Sequence, residues 1–243
     1  MKKTVLNMIV WIVLIGASSC IPKSISRDEA ILEFIGLTIK EPSGLSYSAD
    51  RQSLLVVSDR GTIFNIEFDG SVRKQYPLVF DDLEGIFVDA SDNSIYVVEE
   101  QKGQIVAISP EGTILSTTDI LDSNDNSGLE GITYDASRDI FYLLKEKNNG
   151  LLIKYSFKDK TIQKIDLDFA SDYSGIFYND VTDNLWILSQ ESQTLNKCDI
   201  NGKLKTSFFY PITGMEGIVV NDAETEALVV SDPQNSLIRL QIE

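Results

Sequence analysis

The sequence predicts an all-β chain built from five similar units, and three observations support this. A glycine that precedes Leu or Ile recurs five times, at spacings of 41, 46, 44 and 42 residues. Each recurrence opens an apolar run, which a polar turn separates from a second apolar run. Further runs follow before the next glycine. Four short antiparallel strands per repeat of this length are typical of one blade of a β-propeller. We therefore expect a five-bladed β-propeller.

The repeated glycines mark the first strand of each blade. They are Gly44, Gly85, Gly131, Gly175 and Gly217. The runs that follow them are rich in β-branched and aromatic residues and are broken by Asp, Asn and Gly, which is typical of strands joined by turns. Pairs such as Asp69-Gly70 and Asn201-Gly202 predict the hairpins that join the third strands to the fourth.

The two ends of the repeat region predict how the ring closes. The last repeat holds only three strands before Glu243, and the apolar stretch at residues 30–39 has no blade of its own. A strand from this stretch would complete the last blade and remove an unpaired sheet edge. We expect the propeller to span residues 30–243, after a short tether at residues 21–29.

The first twenty residues predict export. Two lysines precede an apolar run from Val5 to Ala17, and small residues lead to Cys20. This is the pattern of a secretory signal peptide, and a cysteine after small residues is typical of bacterial lipoproteins. We expect residues 1–20 to be the signal peptide, and lipidation of Cys20 to hold the protein at the outer membrane or the cell membrane. The alternative is cleavage without lipidation, because Ala17 stands where lipoproteins usually have Leu.

Composition narrows the possible chemistry. Acidic residues number 37 and basic residues 21, the net charge is -16, and there is no histidine. A chain this acidic is not expected to bind nucleic acid through a broad electrostatic surface. The lack of histidine excludes a Ser-His-Asp triad, a histidine general base and histidine-ligated zinc. Cys198, in an alternating apolar segment, is predicted to be a small buried side chain.

Equivalent positions in the repeats predict a metal site on the propeller axis. The residue before each repeated glycine lies at the end of an innermost strand, so these five residues should form a ring at one channel mouth. They are Ser43, Glu84, Glu130, Ser174 and Glu216. Clustered carboxylates repel one another, so a cation, shared protons or a basic partner is required. We predict that the three glutamates bind Ca²⁺, which prefers hard oxygen ligands in flexible geometry.

The alternative for this ring is a structural role. The glycine after each glutamate would then serve only a positive-φ bend or a close approach of blades, and the glutamate would accept backbone N–H groups. A second polar ring is predicted where the second strands end. Its possible ligand contacts are Asp59, Glu99, Lys145, Glu146 and Asp232.

For the remaining polar and aromatic residues of the repeats the expectations are simpler. Lys145 is expected to pair with Glu99 or with a ring glutamate. The entrance-loop residues Asp82 and Asp125-Asn126 are expected to add oxygens. The Asp- and Asn-rich turns at the opposite end are predicted to be solvated hairpin turns. Three tyrosines and a tryptophan are predicted to pack mainly between blades. They are Tyr47, Tyr134, Tyr178 and Trp186.

Together the motifs resemble the SdiA-regulated (YjiK-like) bacterial propellers. The resemblance rests on Gly128–Tyr134 with Lys145–Asn148, on Tyr173–Gly175 with Leu188–Ser192, and on Met215–Ile218 with Val230–Pro233. It covers roughly residues 30 to 243. It implies a five-bladed propeller distantly related to NHL-repeat proteins, a bound calcium ion, and export or anchoring in the envelope. The assignment of calcium to the ring glutamates follows from their positions and not from the resemblance.

Two kinds of function remain open on the sequence alone. The first is a non-enzymatic envelope module, a monomer whose acidic mouth binds a small ligand or an envelope protein, since no nucleophile–base pair is recognisable. The second is a calcium-dependent hydrolase of phosphodiester, lactone or ester type. In that case the ion would polarise an oxygen, Glu99 or Glu146 would be the base, and Lys145 an electrophile. A calcium-bound scaffold without a channel ligand is a third possibility.

Overall fold

The computed structural model describes residues 30–121, 128–146 and 150–242. These residues form twenty strands in five four-stranded antiparallel sheets, as the sequence predicts. Within these ranges, no helix is long and apolar enough to cross a membrane. The predicted signal peptide, Cys20, the tether and the Asp125-Asn126 stretch lie outside the described residues.

Each blade is a sheet whose strands follow one another from the axis outward. The first strand of the described residues is β1 (Ile31–Gly36), which belongs to the last blade. Blade 1 contains β2 (Pro42–Tyr47), β3 (Leu54–Ser58), β4 (Thr62–Ile66) and β5 (Val72–Gln75). Blade 2 contains β6 (Leu83–Val88), β7 (Ile95–Glu99), β8 (Gln104–Ile108) and β9 (Ile114–Asp119). Blade 3 contains β10 (Leu129–Asp135), β11 (Ile140–Lys145), β12 (Leu151–Ser156) and β13 (Thr161–Asp166). Blade 4 contains β14 (Ile176–Asn179), β15 (Asn184–Ser189), β16 (Thr194–Cys198) and β17 (Leu204–Phe209).

Blade 5 confirms the predicted closure of the ring. It contains β18 (Met215–Val220), β19 (Glu226–Ser231), β20 (Ser236–Gln241) and, as its outermost strand, β1. Strand β1 pairs antiparallel with β20, so that Phe34 lies opposite Ile238 and Gly36 opposite Ser236. The N-terminal strand therefore covers the outer edge of β20.

The hydrophobic core lies between neighbouring blades. One cluster, for example, joins Trp186 and Leu188 of blade 4 to Ile218 and Val229 of blade 5, all of them buried. The second strands are the most buried, whereas the outermost strands β5, β9, β13 and β17 are largely exposed. Burial is thus greatest in the middle of each blade and lowest at its outer edge, as expected when sheets pack face to face. Cys198 is buried, as predicted.

The repeated glycines lie where the innermost strands approach one another most closely. A Cβ atom on Gly175 would lie 2.1 Å from the Glu216 carbonyl oxygen, and one on Gly44 would lie 2.5 Å from the Glu84 carbonyl oxygen. None of the five has a positive φ. Close approach of blades therefore requires glycine here, and the alternative of a positive-φ bend does not apply.

Candidate functional site

The ring residue before each glycine is set out of its sheet by a β-bulge in four of the five blades. The register of the first two strands shifts between Pro42 and Gly44, and again between Leu83 and Gly85. Blade 3 has the same shift between Leu129 and Gly131, and in blade 5 the shift lies between Met215 and Ile218. A bulge leaves one residue out of the ladder and changes the direction of its side chain. The local backbone therefore positions the three ring glutamates.

The two ring serines link neighbouring blades. The Ser43 hydroxyl donates a hydrogen bond to the Leu83 carbonyl oxygen at 2.5 Å, and the Ser174 hydroxyl donates to the Met215 carbonyl oxygen at 2.8 Å. Each acceptor directly precedes a ring glutamate of the next blade. Both serines are buried. The ring thus divides into two structural hydroxyls and three carboxyls.

The ends of the second strands contribute two successive positions with different roles. The first position is buried in every blade: Ser58, Glu99, Lys145, Ser189 and Ser231. Four of these side chains bond locally: those of Ser58, Glu99, Ser189 and Ser231. The Ser58 hydroxyl, for instance, donates to the Lys40 carbonyl oxygen at 2.6 Å. Glu99 accepts hydrogen bonds from Lys102, at 2.8 Å, and from Gln104. The structure therefore places Glu99 against these two side chains.

The following position is acidic in four blades and lies at the mouth. Its members are Asp59, Glu100, Glu146 and Asp232. Their backbones are held alike, since the amides of Asp59 and Glu100 donate to the carbonyls of Glu41 and Asp82 at 3.0 and 3.1 Å. Their negative charges raise the pKa values of two ring glutamates. Glu100 and Glu146 act on Glu130, and Asp59 and Asp232 act on Glu216.

Burial and mutual repulsion raise the pKa values of the mouth carboxyls. Burial is the larger cause, and it holds the pKa of Glu84 and of Glu130 well above the usual range. Burial, with repulsion from Asp59, raises the pKa of Glu216 to about 8. The strongest charged neighbours of all three are acidic. Ionising the three ring glutamates together is therefore energetically costly, and a bound cation would lower that cost.

The outer mouth carboxyls are shifted in the same direction. Burial raises the pKa of Glu100 to about 7, and Asp82 beside it adds to the rise. Burial raises the pKa of Asp59 to about 6, although the Ser43 hydroxyl partly offsets this. The carboxyls of the ring and of the second ring therefore influence one another's ionisation.

Three of these carboxyls lie close enough to bind one ion. Asp82, Glu84 and Glu100 each offer a carboxylate oxygen, and the three oxygens lie within 4.8 Å of one another. Two oxygens bound to the same Ca²⁺ at ~2.4 Å are at most about 4.8 Å apart. All three residues are half-buried and hence reachable from solvent. The residues present therefore fit a hard cation the size of calcium.

Two further features of the mouth favour the same conclusion. A cavity of about 10 Å³, lined by Ser43, Glu84, Glu130, Glu216 and the neighbouring backbone, lies at the ring. That volume admits roughly one water-sized particle. Nearby, the Oδ1 atom of Asp59 is buried and has no hydrogen-bond partner among the described residues. A buried carboxylate oxygen without a partner is costly, which a cation or water would remedy.

The structure thus brings Glu84 together with Asp82 and Glu100. Asp82 was expected to add oxygens from an entrance loop, and it lies beside Glu84. Glu100 was passed over in favour of Glu99. Glu130 and Glu216 lie in the same mouth, and binding of calcium by the three glutamates together stays a prediction. The signal for Glu100 was its acidic equivalents Asp59, Glu146 and Asp232 in three other repeats.

The fold and the mouth define a five-bladed propeller with an acidic channel entrance. A family model of SdiA-regulated proteins matches residues 32–238. The chain therefore belongs to the SdiA-regulated family, which confirms the resemblance seen in its motifs.

Solved structures of other proteins share the fold. A streptogramin B lyase structure superposes with a TM-score of 0.51 at 19% identity, over 86% of this chain and 72% of that one. The Cps50 (Swd1) β-propeller domain of Myceliophteria thermophila has a TM-score of 0.51 at 10% identity, over 82% of this chain and 65% of that one. At such identities the likeness shows the propeller fold alone.

Proposed function

We propose that this chain is a calcium-binding propeller module of the bacterial cell envelope, which presents its acidic mouth to a small ligand or an envelope protein. The observation that carries this proposal is the set of carboxylate oxygens on Asp82, Glu84 and Glu100, all within 4.8 Å of one another. These three residues would hold the ion. Glu130 and Glu216 would add negative charge at the ring beside it.

Calcium suits the mouth better than zinc or softer metals do. Its donors are carboxylates and hydroxyls, which hard cations prefer, whereas zinc and softer metals favour imidazole and thiolate. A bound ion would supply positive charge beside carboxyls whose raised pKa values reflect burial and mutual repulsion. The carboxylates would in turn stay ionised at neutral pH.

Export and anchoring are proposed from the N-terminal pattern. Two lysines, an apolar run and the small residues before Cys20 form a lipoprotein-type signal. Lipidation of Cys20 would hold the propeller at a membrane surface, and the excess of acidic residues would disfavour adhesion to anionic headgroups. The propeller would thus project from the membrane with both channel mouths available.

Binding is favoured over hydrolysis by the placement of two of the three residues considered for catalysis; the third, Glu146, is half-buried at the mouth. Glu99, a candidate base, is 1% exposed and is held by Lys102 and Gln104. Lys145, the candidate electrophile, is 3% exposed. A general base must come within hydrogen-bond reach of the proton that it abstracts. Burial keeps both side chains from a substrate in the mouth.

The test is a calorimetric Ca²⁺ titration of the purified, calcium-stripped chain. We expect saturable binding of one ion, which Glu84→Gln abolishes and Glu41→Gln preserves. Glu41 is a fitting control because it is an exposed carboxylate paired with Arg60. Absence of saturable binding in the wild-type chain would overturn the metal site. Calcium-dependent turnover of a phosphodiester, lactone or ester, lost in Glu130→Gln, would replace the binding module with the hydrolase.

A further inference from the structure

At the mouth opposite the carboxyls, the channel opens into a cavity of about 650 Å³. Such a volume falls within the range of small-molecule sites, roughly 300 to 1,000 Å³. An aliphatic layer separates it from the acidic mouth, because four side chains line both spaces. They are Leu45, Ile86, Ile132 and Ile176. The cavity is therefore a separate site with its own entrance.

Aromatic rings form much of the cavity wall. Tyr47, Phe87, Tyr134 and Phe177 line it, and each is half-buried. The rings of Phe87 and Tyr134 have centroids 5.9 Å apart. The ring of Phe177 meets that of Tyr47 edge to face at 6.2 Å. Phe177 belongs to blade 4 and Tyr47 to blade 1, the two blades on either side of blade 5. Blade 5 contributes no lining residue among those described, and the contact between the two rings closes the cavity on that side.

The sequence favoured blade packing for Tyr47 and Tyr134, and the structure gives them a second role. Both pack against hydrophobic clusters between blades and also line the cavity. The Asp- and Asn-rich segments form the predicted turns. Asp89, for example, accepts the Ser91 amide at 2.8 Å. Several of these turns also form the cavity rim.

Ion pairs fix the rim. Arg51 binds Asp222 of blade 5, and its guanidinium carbon lies 5.2 Å from the centre of the Tyr47 ring. Arg138 of blade 3 binds Asp135 of its own blade and Asp183 of blade 4. These arginine charges are therefore compensated, and the links hold neighbouring turns in place. A preformed rim lowers the ordering cost of binding a ligand.

Two rim carboxylates have no such compensation. Asp89 and Asp180 line the cavity and take part in no ion pair within the described ranges. They stand on blades 2 and 4, beside the aromatic wall. The rim thus combines fixed aromatic rings with uncompensated negative charge.

We propose that this cavity binds a small organic cation, an amine or quaternary ammonium with an apolar body. Aromatic faces attract cations through the ring quadrupole. The rim carboxylates attract the same charge, and the net charge of -16 repels anions from the entrance. The aliphatic floor would receive the apolar body. The proposal uses none of the mouth carboxyls and is independent of the calcium site.

Three isosteric or near-isosteric probes test this charge preference. The purified full chain, with calcium present, is titrated with phenyltrimethylammonium, with its neutral isostere tert-butylbenzene, and with benzenesulfonate. Saturation-transfer NMR of each probe reports binding. We expect the cation to bind about tenfold more tightly than the neutral probe, and the anion to show no saturable binding.

Variants place the binding in the cavity. Phe177→Ala removes part of the wall and should weaken cation binding, whereas Phe169→Ala, a half-buried ring that contacts Tyr173 away from the cavity, should not. Asp89→Asn keeps the acceptor of its turn and should reduce the preference for the cation over the neutral probe. Equal affinity for all three probes, preference for the anion, or no binding of any probe would overturn the proposal. If Phe177→Ala fails to fold, Asp89→Asn and Asp180→Asn still decide it.

Discussion

At the residue scale, the carboxyls of the acidic mouth favour the protonated form when no cation is bound. The pKa of Glu84 is raised by burial and by the charges of Glu130 and Asp59. Neither ring serine shares this role, because both donate to carbonyl oxygens of the next blade. Substitutions at glutamate and serine positions of the same ring should therefore have different consequences.

Glu84→Gln should separate calcium binding from stability. In calcium-stripped protein we expect the change to raise the free energy of unfolding by on the order of 1 kcal/mol, because a neutral amide replaces a carboxyl that burial and acidic neighbours make costly to ionise. Added Ca²⁺ should no longer stabilise the variant. Urea unfolding with and without Ca²⁺ measures both effects. Ser174→Ala, the control, should lose stability under both conditions and keep its response to Ca²⁺.

Gly175→Ala should be strongly destabilising. Its Cβ atom would lie 2.1 Å from the Glu216 carbonyl oxygen, so blades 4 and 5 would have to move apart. We expect a loss of about 2 kcal/mol or more in the free energy of unfolding. Gly36→Ala is the control, since nothing lies within 4 Å of its added Cβ atom. Similar unfolding midpoints for the two variants would contradict the close-approach explanation.

At the element scale, the bulge at the repeated glycine, present in four of the five blades, connects the repeat to the site. The sequence predicts the blades because apolar runs and turns recur at nearly constant spacing. Such a pattern depends only on residues that are close together in the sequence. The sequence also predicts the ring, because equivalent residues of a symmetric fold share one position. Glu100 was missed for a different reason. Which of two adjacent residues at a strand end faces the axis depends on strand pairing, and a shift of one residue reverses the side chain's direction.

The N-terminal strand should be essential for a closed ring. Deleting residues 31–36 would leave β20 as an unpaired outer edge of blade 5. We expect this variant to unfold at lower temperature and to aggregate, whereas a chain that lacks only residues 1–29 should keep the cooperative unfolding of the intact propeller. Circular dichroism melts and light scattering measure both. Equal melting of the two truncated chains would argue against closure by β1.

At the scale of the whole molecule, the two channel mouths are chemically distinct. One gathers carboxyls around the axis, and the other is an aromatic cavity with a charged rim. The first could be predicted from repeat-equivalent residues. The aromatic cavity could not be predicted, for two reasons. Its wall joins residues of four blades at two different repeat positions. In addition, the residues equivalent to Phe87 and Phe177 in the other repeats are a serine, a threonine and a valine.

The stability of the calcium-stripped chain should fall as pH rises from about 5 to about 8. The pKa values of Asp59, Glu100 and Glu216 are raised to about 6, 7 and 8, so the folded state binds more protons than the unfolded state in this range. By linkage, each deprotonation then costs stability. Urea unfolding at both pH values measures this. Saturating Ca²⁺ should weaken the dependence, and a rise in stability with pH in the stripped chain would contradict the raised pKa values.

The central claim is that one calcium ion sits between Asp82, Glu84 and Glu100. The most direct measurement is a crystal structure grown with Ca²⁺ and recorded at a wavelength where calcium scatters anomalously. We predict one anomalous peak bound by carboxylate oxygens of these three residues, at about 2.3 to 2.6 Å from each. A peak held by Glu130 and Glu216 without Asp82 and Glu100 would contradict the assignment of ligands. Absence of any peak at the acidic mouth would contradict the calcium site itself.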